Sequence, residues 1–190
     1  TTIMFLTPII TTVLSVLVLQ EHVGIRRWAG VAVGFIGAVI VVQPWTAGTA
    51  SFNIGMLFLL AASVSNASYQ IATRTVRDDH PLTSLLFTAT FGAVIASLIL
   101  PWYWEWPDLT GWGLLAASGL AGAIGHFCII EAFRNAPASV VSPFSYSSLL
   151  WAALLGFLVW GDIPQLQVLA GAALIIASGL YIFFRERKVS

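Results

Sequence analysis

Long apolar segments alternate with short polar connections along the whole chain. Each segment approaches the roughly 20 apolar residues that an α-helix needs to cross the hydrocarbon core of a bilayer. Such unbroken runs argue against a β-barrel, whose strands alternate and are about ten residues long. The pattern therefore predicts an all-α, polytopic transmembrane helix bundle of about seven spans, at 2–20, 28–44, 54–74, 82–101, 110–133, 138–160 and 166–184.

Composition supports lipid as the solvent. Of the 190 residues, 58% are hydrophobic and only 8% are charged, whereas a soluble domain carries about 25% charged residues. The formal net charge of +0 gives no reason to expect a nucleic-acid partner. The chain begins at Thr1 inside an apolar run, so we expect it to be a piece of a longer membrane protein.

Charge predicts the orientation of the spans. Seven spans place the connections alternately on two sides, and one side receives every cation, which the positive-inside rule makes cytoplasmic. The other side gathers six tryptophans, as an interfacial aromatic belt does. We therefore expect a multi-pass protein of a bacterial-type inner (plasma) membrane, with a cytoplasmic basic tail at 185–190. The cations are Arg26, Arg27, Arg74, Arg77, Arg134, Arg185, Arg187 and Lys188, and the tryptophans are Trp45, Trp102, Trp104, Trp106, Trp112 and Trp160.

Two connections resemble each other. Residues 21–30 read EHVGIRRWAG and residues 162–171 read DIPQLQVLAG, with the acidic residue and the closing Ala-Gly in the same places. Only the first copy has arginines, which fits a two-helix unit used twice in opposite orientations, once facing the cytoplasm and once facing out. Chance similarity of two apolar hairpins is the alternative. Inverted repeats are typical of secondary transporters.

The chain resembles the EamA family of the drug/metabolite transporter superfamily over nearly its whole length. The resemblance implies a ten-helix protein of two inverted five-helix repeats, in which residues 1–44 are the last two helices of the first repeat and residues 54–184 are the complete second repeat. One departure is that Pro8 aligns with Leu149, while the second copy has Pro143 instead. The matching stretches are TPIITTVLSVLVLQE (7–21), WAGVAVGFIGAVIV (28–41), EAFRNAPASVVSP (131–143), LLGFLVWGD (154–162) and LAGAALIIASGLYI (169–182).

Polar side chains on three spans define a candidate substrate site. Polar groups within hydrocarbon are costly and usually face a cavity or a partner helix. With a rise of 1.5 Å per residue, three groups of them lie about 12 Å from the cytoplasmic boundary. Hydrogen bonding between helices is the alternative for each. The predicted substrate-binding residues are Asn66, Tyr69 and Gln70 on one face of the third span, His126 on the fifth, and Tyr146 and Trp151 on the sixth.

Two of the titratable residues are candidates for ion coupling. His126 can titrate near physiological pH, with a neutral packing role as the alternative. Glu131 is a candidate proton carrier, with a surface ion pair to Arg134 as the favoured alternative. Pro8 and Pro143 are candidate helix kinks that would allow bending.

Motifs for other functions are absent from the sequence. It contains no HExxH or GxSxG motif and no phosphate-binding glycine loop. Its one lysine, Lys188, lies in the tail, where it cannot serve a retinal. We therefore expect no enzyme activity, no metal and no cofactor.

The hypothesis that fits best is a secondary active transporter that moves a small polar or amphipathic metabolite by alternating access. A non-transporting membrane scaffold or subunit is the alternative, and a homodimer stays open.

Overall fold

The computed structural model describes residues 2–43 and 54–186. Trp45, Arg187 and Lys188 lie outside the described residues, as does the side chain of Arg185, so the predictions that concern them are not addressed. The chain begins with 3-10 turns at Thr2–Leu6, and a second 3-10 segment at Ser142–Tyr146 interrupts the sixth span. The α-helices are α1 (Thr7–Val18), α2 (Ile25–Val42), α3 (Ile54–Thr75), α4 (Pro81–Tyr103), α5 (Leu109–Asn135), α6 (Ala138–Val141), α7 (Ser147–Trp160) and α8 (Leu166–Glu186).

The predicted all-α, polytopic membrane fold is confirmed. Among the described residues, six helical segments are long and apolar enough to cross a bilayer, with Ala138–Trp160 acting as one span built from α6, the 3-10 segment and α7. The first predicted span is the exception in length, since its apolar helix covers only Ile3–Val18. Its 3-10 start is followed by Pro8 near the N-terminus of α1, where a missing backbone N–H is tolerated.

Packing divides the chain into two compact units. The first contains the described residues up to Ala72 together with those from Pro137 onward, and the second runs from Thr73 to Ala136. In the second unit, α4 packs on α5. In the connection between these helices, the ring centroid of Trp104 lies 5.5 Å from that of Trp106 and 6.0 Å from that of Trp112.

The two similar hairpins of the first unit end their first helices in the same way. Gln20 and Gly161 both adopt a left-handed backbone, with φ of 53° and 75°. The next N–H then bonds to the carbonyl six residues back: Glu21 N lies 3.1 Å from Ser15 O, and Asp162 N lies 3.3 Å from Gly156 O. Both helices thus end at a left-handed residue, as many helices do. The two ends are related by a shift of 141 residues, the same shift that aligns the sequences.

The closest helix packing in the first unit is between α2 and α8, which run antiparallel. A Cβ added to Gly37 would lie 2.8 Å from the carbonyl oxygen of Gly171, and one added to Gly171 would lie 2.6 Å from that of Gly37. Further along, the hydroxyl of Ser178 donates to the carbonyl of Gly30 at 2.6 Å. Glycines therefore allow the two backbones to touch, as small residues do in membrane helix pairs.

Each of these contacts has a counterpart, which is found by replacing both residues with their equivalents in the other copy. The shift of 141 turns Gly30 into Gly171 and Gly37 into Ser178. The contact of Gly37 with Gly171 thus becomes that of Gly30 with Ser178, and both are present. In the same way, the contact between Val41 and Gly171 becomes one between Gly30 and Ile182, which is also observed.

Phe5 and Tyr146 are themselves related by this shift, and they touch each other, with ring centroids 6.4 Å apart. A contact between equivalent residues lies on the axis of a two-fold rotation. Since α2 and α8 are antiparallel, that axis is perpendicular to them, as it would be in an inverted repeat.

We expect Gly171→Ala to lower the free energy of unfolding by about 1–3 kcal/mol, the usual range for overpacking. The added methyl group would meet the backbone of Gly37 and the side chain of Val41, and a backbone cannot move aside easily. Gly156→Ala is the matched control, because nothing lies within 4 Å of a Cβ at that helical position. Thermal unfolding of the purified protein in detergent compares the two. Equal melting temperatures would contradict the close approach.

Candidate functional site

A chain of hydrogen bonds joins α1 to α3 at membrane depth. The hydroxyl of Thr11 donates to Oε1 of Gln70 at 2.9 Å. Nε2 of Gln70 donates in turn to Oδ1 of Asn66, one helical turn earlier, at 3.1 Å. Thr11 and Gln70 are buried, whereas Asn66 is exposed. In a low-dielectric surrounding, hydrogen bonds are strong enough to hold these three side chains in fixed orientations. A polar group that the network does not use is then available for another hydrogen bond.

α1 and α3 run in the same direction. The hydroxyl of Ser63 donates to the carbonyl of Ile3 at 3.0 Å, and Thr11 meets Gln70 further along both segments. Parallel alignment is what spans separated by one intervening span should show. The two segments are thus joined by polar contacts at two levels, and we call Ile3, Thr11, Ser63, Asn66 and Gln70 the polar seam.

The structure brings together part of the predicted site and adds residues to it. Asn66, Tyr69 and Gln70 all lie on α3, as predicted, and two of them hydrogen-bond to each other. Sequence reasoning missed Thr11, although Thr7 and Thr11 stand at i and i+4 of α1, a spacing that signals one helix face. Contact of these residues with a substrate stays a prediction.

Tyr146 is placed at the centre of the first unit. It ends the 3-10 segment of the sixth span, its side chain is 1% exposed, and its hydroxyl donates to the carbonyl of Phe5 at 3.1 Å. It belongs to an apolar cluster with Ala38 and Ile175. The hydroxyl oxygen retains only acceptor capacity, because its single proton is engaged. A role in substrate binding stays a prediction.

The remaining predicted residues lie apart along the chain. Trp151 is on α7 and is 62% exposed. His126 is half-buried on α5 and belongs to the second unit. Their contact with a substrate, and coupling through His126, stay predictions.

Glu131 forms the ion pair that the sequence favoured. One of its carboxylate oxygens accepts from Nη1 of Arg134 at 2.9 Å, and the other accepts from the amide of Asn135 at 3.0 Å. Arg74 of α3 donates to the carbonyls of Phe133 and Arg134 at the end of α5. These bonds satisfy carbonyls that a helix end leaves free. Proton coupling through Glu131 stays a prediction.

Glu21 caps the N-terminal end of the sixth span. Its carboxylate accepts from the backbone N–H of Ala138 at 2.8 Å, from the N–H of Ser139 at 3.2 Å and from the hydroxyl of Ser139 at 2.7 Å. Nη1 of Arg27 also donates to that hydroxyl oxygen, at 3.3 Å. A carboxylate on the first N–H groups of a helical segment is a favourable cap.

The two predicted kink prolines both adjoin 3-10 structure. Pro8 lies at the junction between the 3-10 turns and α1, and Pro143 lies in the 3-10 segment that separates α6 from α7. The hydroxyl of Ser142 donates to the carbonyl of Pro8 at 3.4 Å, which ties the two places together. Bending at these prolines during function stays a prediction.

Two surface cavities border α2 and α8, one of them also bordering α7, and neither is lined by a predicted site residue. One, of about 400 Å³, is lined mainly by small and apolar side chains. The other, of about 430 Å³, includes Gln43, Asp162 and Gln165 among its lining residues. The polar seam between α1 and α3 is therefore the stronger candidate, because it carries oriented hydrogen-bonding groups inside the membrane span.

Six apolar spans among the described residues, with Asn66 and Gln70 inside one of them, define a polytopic membrane protein of the α-helical class. A sequence profile of the EamA-like transporter family matches residues 1–43 and 53–184. The chain belongs to this family. Membership in a transporter family agrees with the expectation that the protein is not an enzyme.

Individual relatives resemble the chain over nearly all of its length. It is 29% identical to an S-adenosylmethionine uptake transporter of Rickettsia prowazekii, over 99% of this chain and 63% of the relative. It is 33% identical to a riboflavin transporter of Vibrio cholerae, over 96% of this chain and 61% of the relative. The chain thus spans less than two thirds of the length of these curated relatives.

A solved crystal structure shares the fold. It superimposes with a TM-score of 0.81 at 20% sequence identity, over 96% of this chain and 66% of the other.

We expect Glu21→Ala to lower the free energy of unfolding by about 1–3 kcal/mol, since it leaves two backbone N–H groups without their acceptor. Glu21→Gln should lower the free energy of unfolding by less, because the side chain keeps one carbonyl oxygen as an acceptor. Asp162→Ala, at the related position of the second hairpin, is the control, since its carboxylate is exposed. Thermal unfolding measures all three, and a Glu21→Ala protein as stable as the control would contradict the capping role.

Proposed function

We propose that the chain is part of a secondary active transporter that moves a small polar or amphipathic metabolite across the inner membrane by alternating access. The observation that carries the proposal is the exchange of contacts between α2 and α8. Carriers built from inverted repeats place their substrate near the membrane midplane and open alternately by rocking one repeat against the other.

The position of the polar seam supports this function. Asn66 lies twelve residues from the start of α3 and nine from its end, which is about 18 Å and 13 Å along the helix axis. Neither end of the helix is close. Amides at this depth are costly to a protein that only needs to sit in lipid, so a transporter explains them better than a scaffold does.

The proposal includes an orientation and a division into domains. The cations at the start of α2 and the ends of α3 and α5 support a cytoplasmic face that also receives the tail at 185–190. Residues 1–44 would be the last two helices of a first repeat, and residues 54–184 a second repeat of five. We expect no nucleic-acid partner, and a homodimer stays an open alternative.

Relatives suggest which solutes to try first. S-Adenosylmethionine and riboflavin, after which two relatives are named, are both heterocyclic metabolites with polar and apolar parts. A site with amide, hydroxyl and aromatic side chains fits such mixed chemistry. We propose these two compounds as the first solutes of an uptake panel.

The test is uptake into liposomes that contain the chain joined to the preceding helices of its full-length protein. We expect saturable uptake of a panel solute above that of empty liposomes, measured with and without a pH gradient. A response to the gradient would support proton coupling, and indifference to it would remove His126 and Glu131 from that role. Absence of uptake for the whole panel would favour the scaffold.

Side-chain variants test the proposed site in the same assay. His126→Ala and Tyr146→Phe, which keeps the buried ring, should each change the KM or the maximal rate by about tenfold, the effect of one lost hydrogen bond in a dry site. Leu98→Ala, on an exposed apolar surface of α4, is the control. Unchanged kinetics in both site variants would show that these residues do not belong to the site.

A further inference from the structure

We propose that Asn66 donates a hydrogen bond to a carbonyl or carboxylate oxygen of the transported solute, and that Gln70 and Thr11 hold it in position to do so. The inference rests on the proposed transport function and names the chemical group that the site recognises. It follows from the direction in which the hydrogen bonds between α1 and α3 run.

Thr11 sets the donor-to-acceptor direction of these hydrogen bonds. A hydroxyl has one proton to donate, and that of Thr11 goes to Oε1 of Gln70. The neighbouring Thr12 instead returns its proton to the carbonyl of Pro8 in its own helix. An amide has its acceptor on one side and its two N–H groups on the other. Thr11 therefore fixes which side of Gln70 is turned toward Asn66.

Gln70 in turn orients the amide of Asn66. Nε2 of Gln70 donates to Oδ1 of Asn66, so the oxygen of the Asn66 amide is turned toward Gln70. Its Nδ2 carries two N–H groups and lies at the open end. Among the described residues, Nδ2 has no hydrogen-bond partner. The free end of the network is thus a donor.

Asn66 stands at the edge of the buried face of α3. Ser63, Ala67 and Gln70 of that face are buried, whereas Asn66 is exposed. An amide N–H that faces hydrocarbon is costly, so polar side chains within a span normally face protein or a water-filled cavity. The surface beside Asn66 is therefore where a polar solute would be accepted.

Thr7 supplies a second unused donor at the same level. Its hydroxyl is buried and has no hydrogen-bond partner in the described part of the chain. Ile3 meets Ser63 and Thr11 meets Gln70, so Thr7 lies level with Asn66 in this parallel pair. Thr7 is sealed from the surface, so Asn66 is the residue at this level that a solute can reach.

The donors are neutral. Residues 3–18 and 54–73 contain no Asp, Glu, Lys or Arg. The solute oxygen would be recognised through hydrogen bonds and not through an ion pair with these helices. Neutral carbonyls and carboxylates that are balanced by a cation within the same solute both fit this requirement.

The first test measures water access at residue 66. In full-length protein with Cys128→Ser, the Asn66→Cys variant should react with a membrane-impermeant methanethiosulfonate reagent. Ser68→Cys is the matched control, since Ser68 is also exposed on α3 but lies on another side and bonds back to Val64. We expect the thiol at position 66 to be modified at least tenfold faster than the thiol at position 68. Equal rates, or an inert thiol at position 66, would overturn the inference.

The second test measures uptake of S-adenosylmethionine and riboflavin. For a solute that the unchanged protein transports, Asn66→Ala should raise the KM about tenfold, and Asn66→Asp should raise it further, because a carboxylate repels the solute oxygen. Thr11→Val should raise it less, and Ser68→Ala should not change it. An unchanged KM in Asn66→Ala would overturn the inference. A reactive thiol at position 66 in a protein that transports no solute would contradict the proposed function while leaving the donor site supported.

Discussion

The close antiparallel packing of α2 and α8 is the interaction on which the first unit depends. Lipid chains are as apolar as leucine side chains, so helices in a membrane associate through tight packing and hydrogen bonds and not through burial from water. Gly37 and Gly171 provide that tight packing by letting the two backbones touch. The bond from Ser178 to the carbonyl of Gly30 adds a directional contact at the other end. The apolar cluster around Tyr146 and Ile175 lies beside this pair.

The polar residues follow a different rule, which is that each buried donor or acceptor needs a partner. Some find it locally: Thr12 bonds to Pro8 O, and Ser15 bonds to Thr12 O. Others, such as Ser142 and Ser178, bond to the backbone of a distant segment. Thr11 bonds to a side chain of another helix, and this bond orients Gln70 and then Asn66. A site can therefore be built from three neutral side chains, with its chemical preference set by the direction of the bonds between them.

The sequence predicted the helices well because membrane thickness requires long apolar runs. The sequence predicted the positions of the helix ends less accurately. α2 begins at Ile25, three residues earlier than expected, since Arg26 and Arg27 can extend a helix beyond the hydrocarbon. The break between α6 and α7 was indicated only by Pro143, which cannot donate a backbone hydrogen bond. Within the candidate site, helical periodicity placed Asn66 and Gln70 on one face, and they do bond to each other. Thr11 shares a helix face with Thr7, but sequence alone does not show that its hydroxyl bonds to another helix while that of Thr12 bonds within its own. The cap by Glu21 on Ala138 joins residues far apart in the chain, and no local pattern signals such a partner.

The central claim is that the two hairpins are inverted copies, and sidedness tests it most directly. Gly24→Cys and Ile163→Cys each place a thiol in an exposed connection, one in each hairpin. In the full-length protein with Cys128→Ser, an impermeant maleimide should label the thiol at position 24 only in inside-out vesicles. The same reagent should label the thiol at position 163 only from the outside of intact cells. Labelling of both thiols from the same side would contradict the inverted relation.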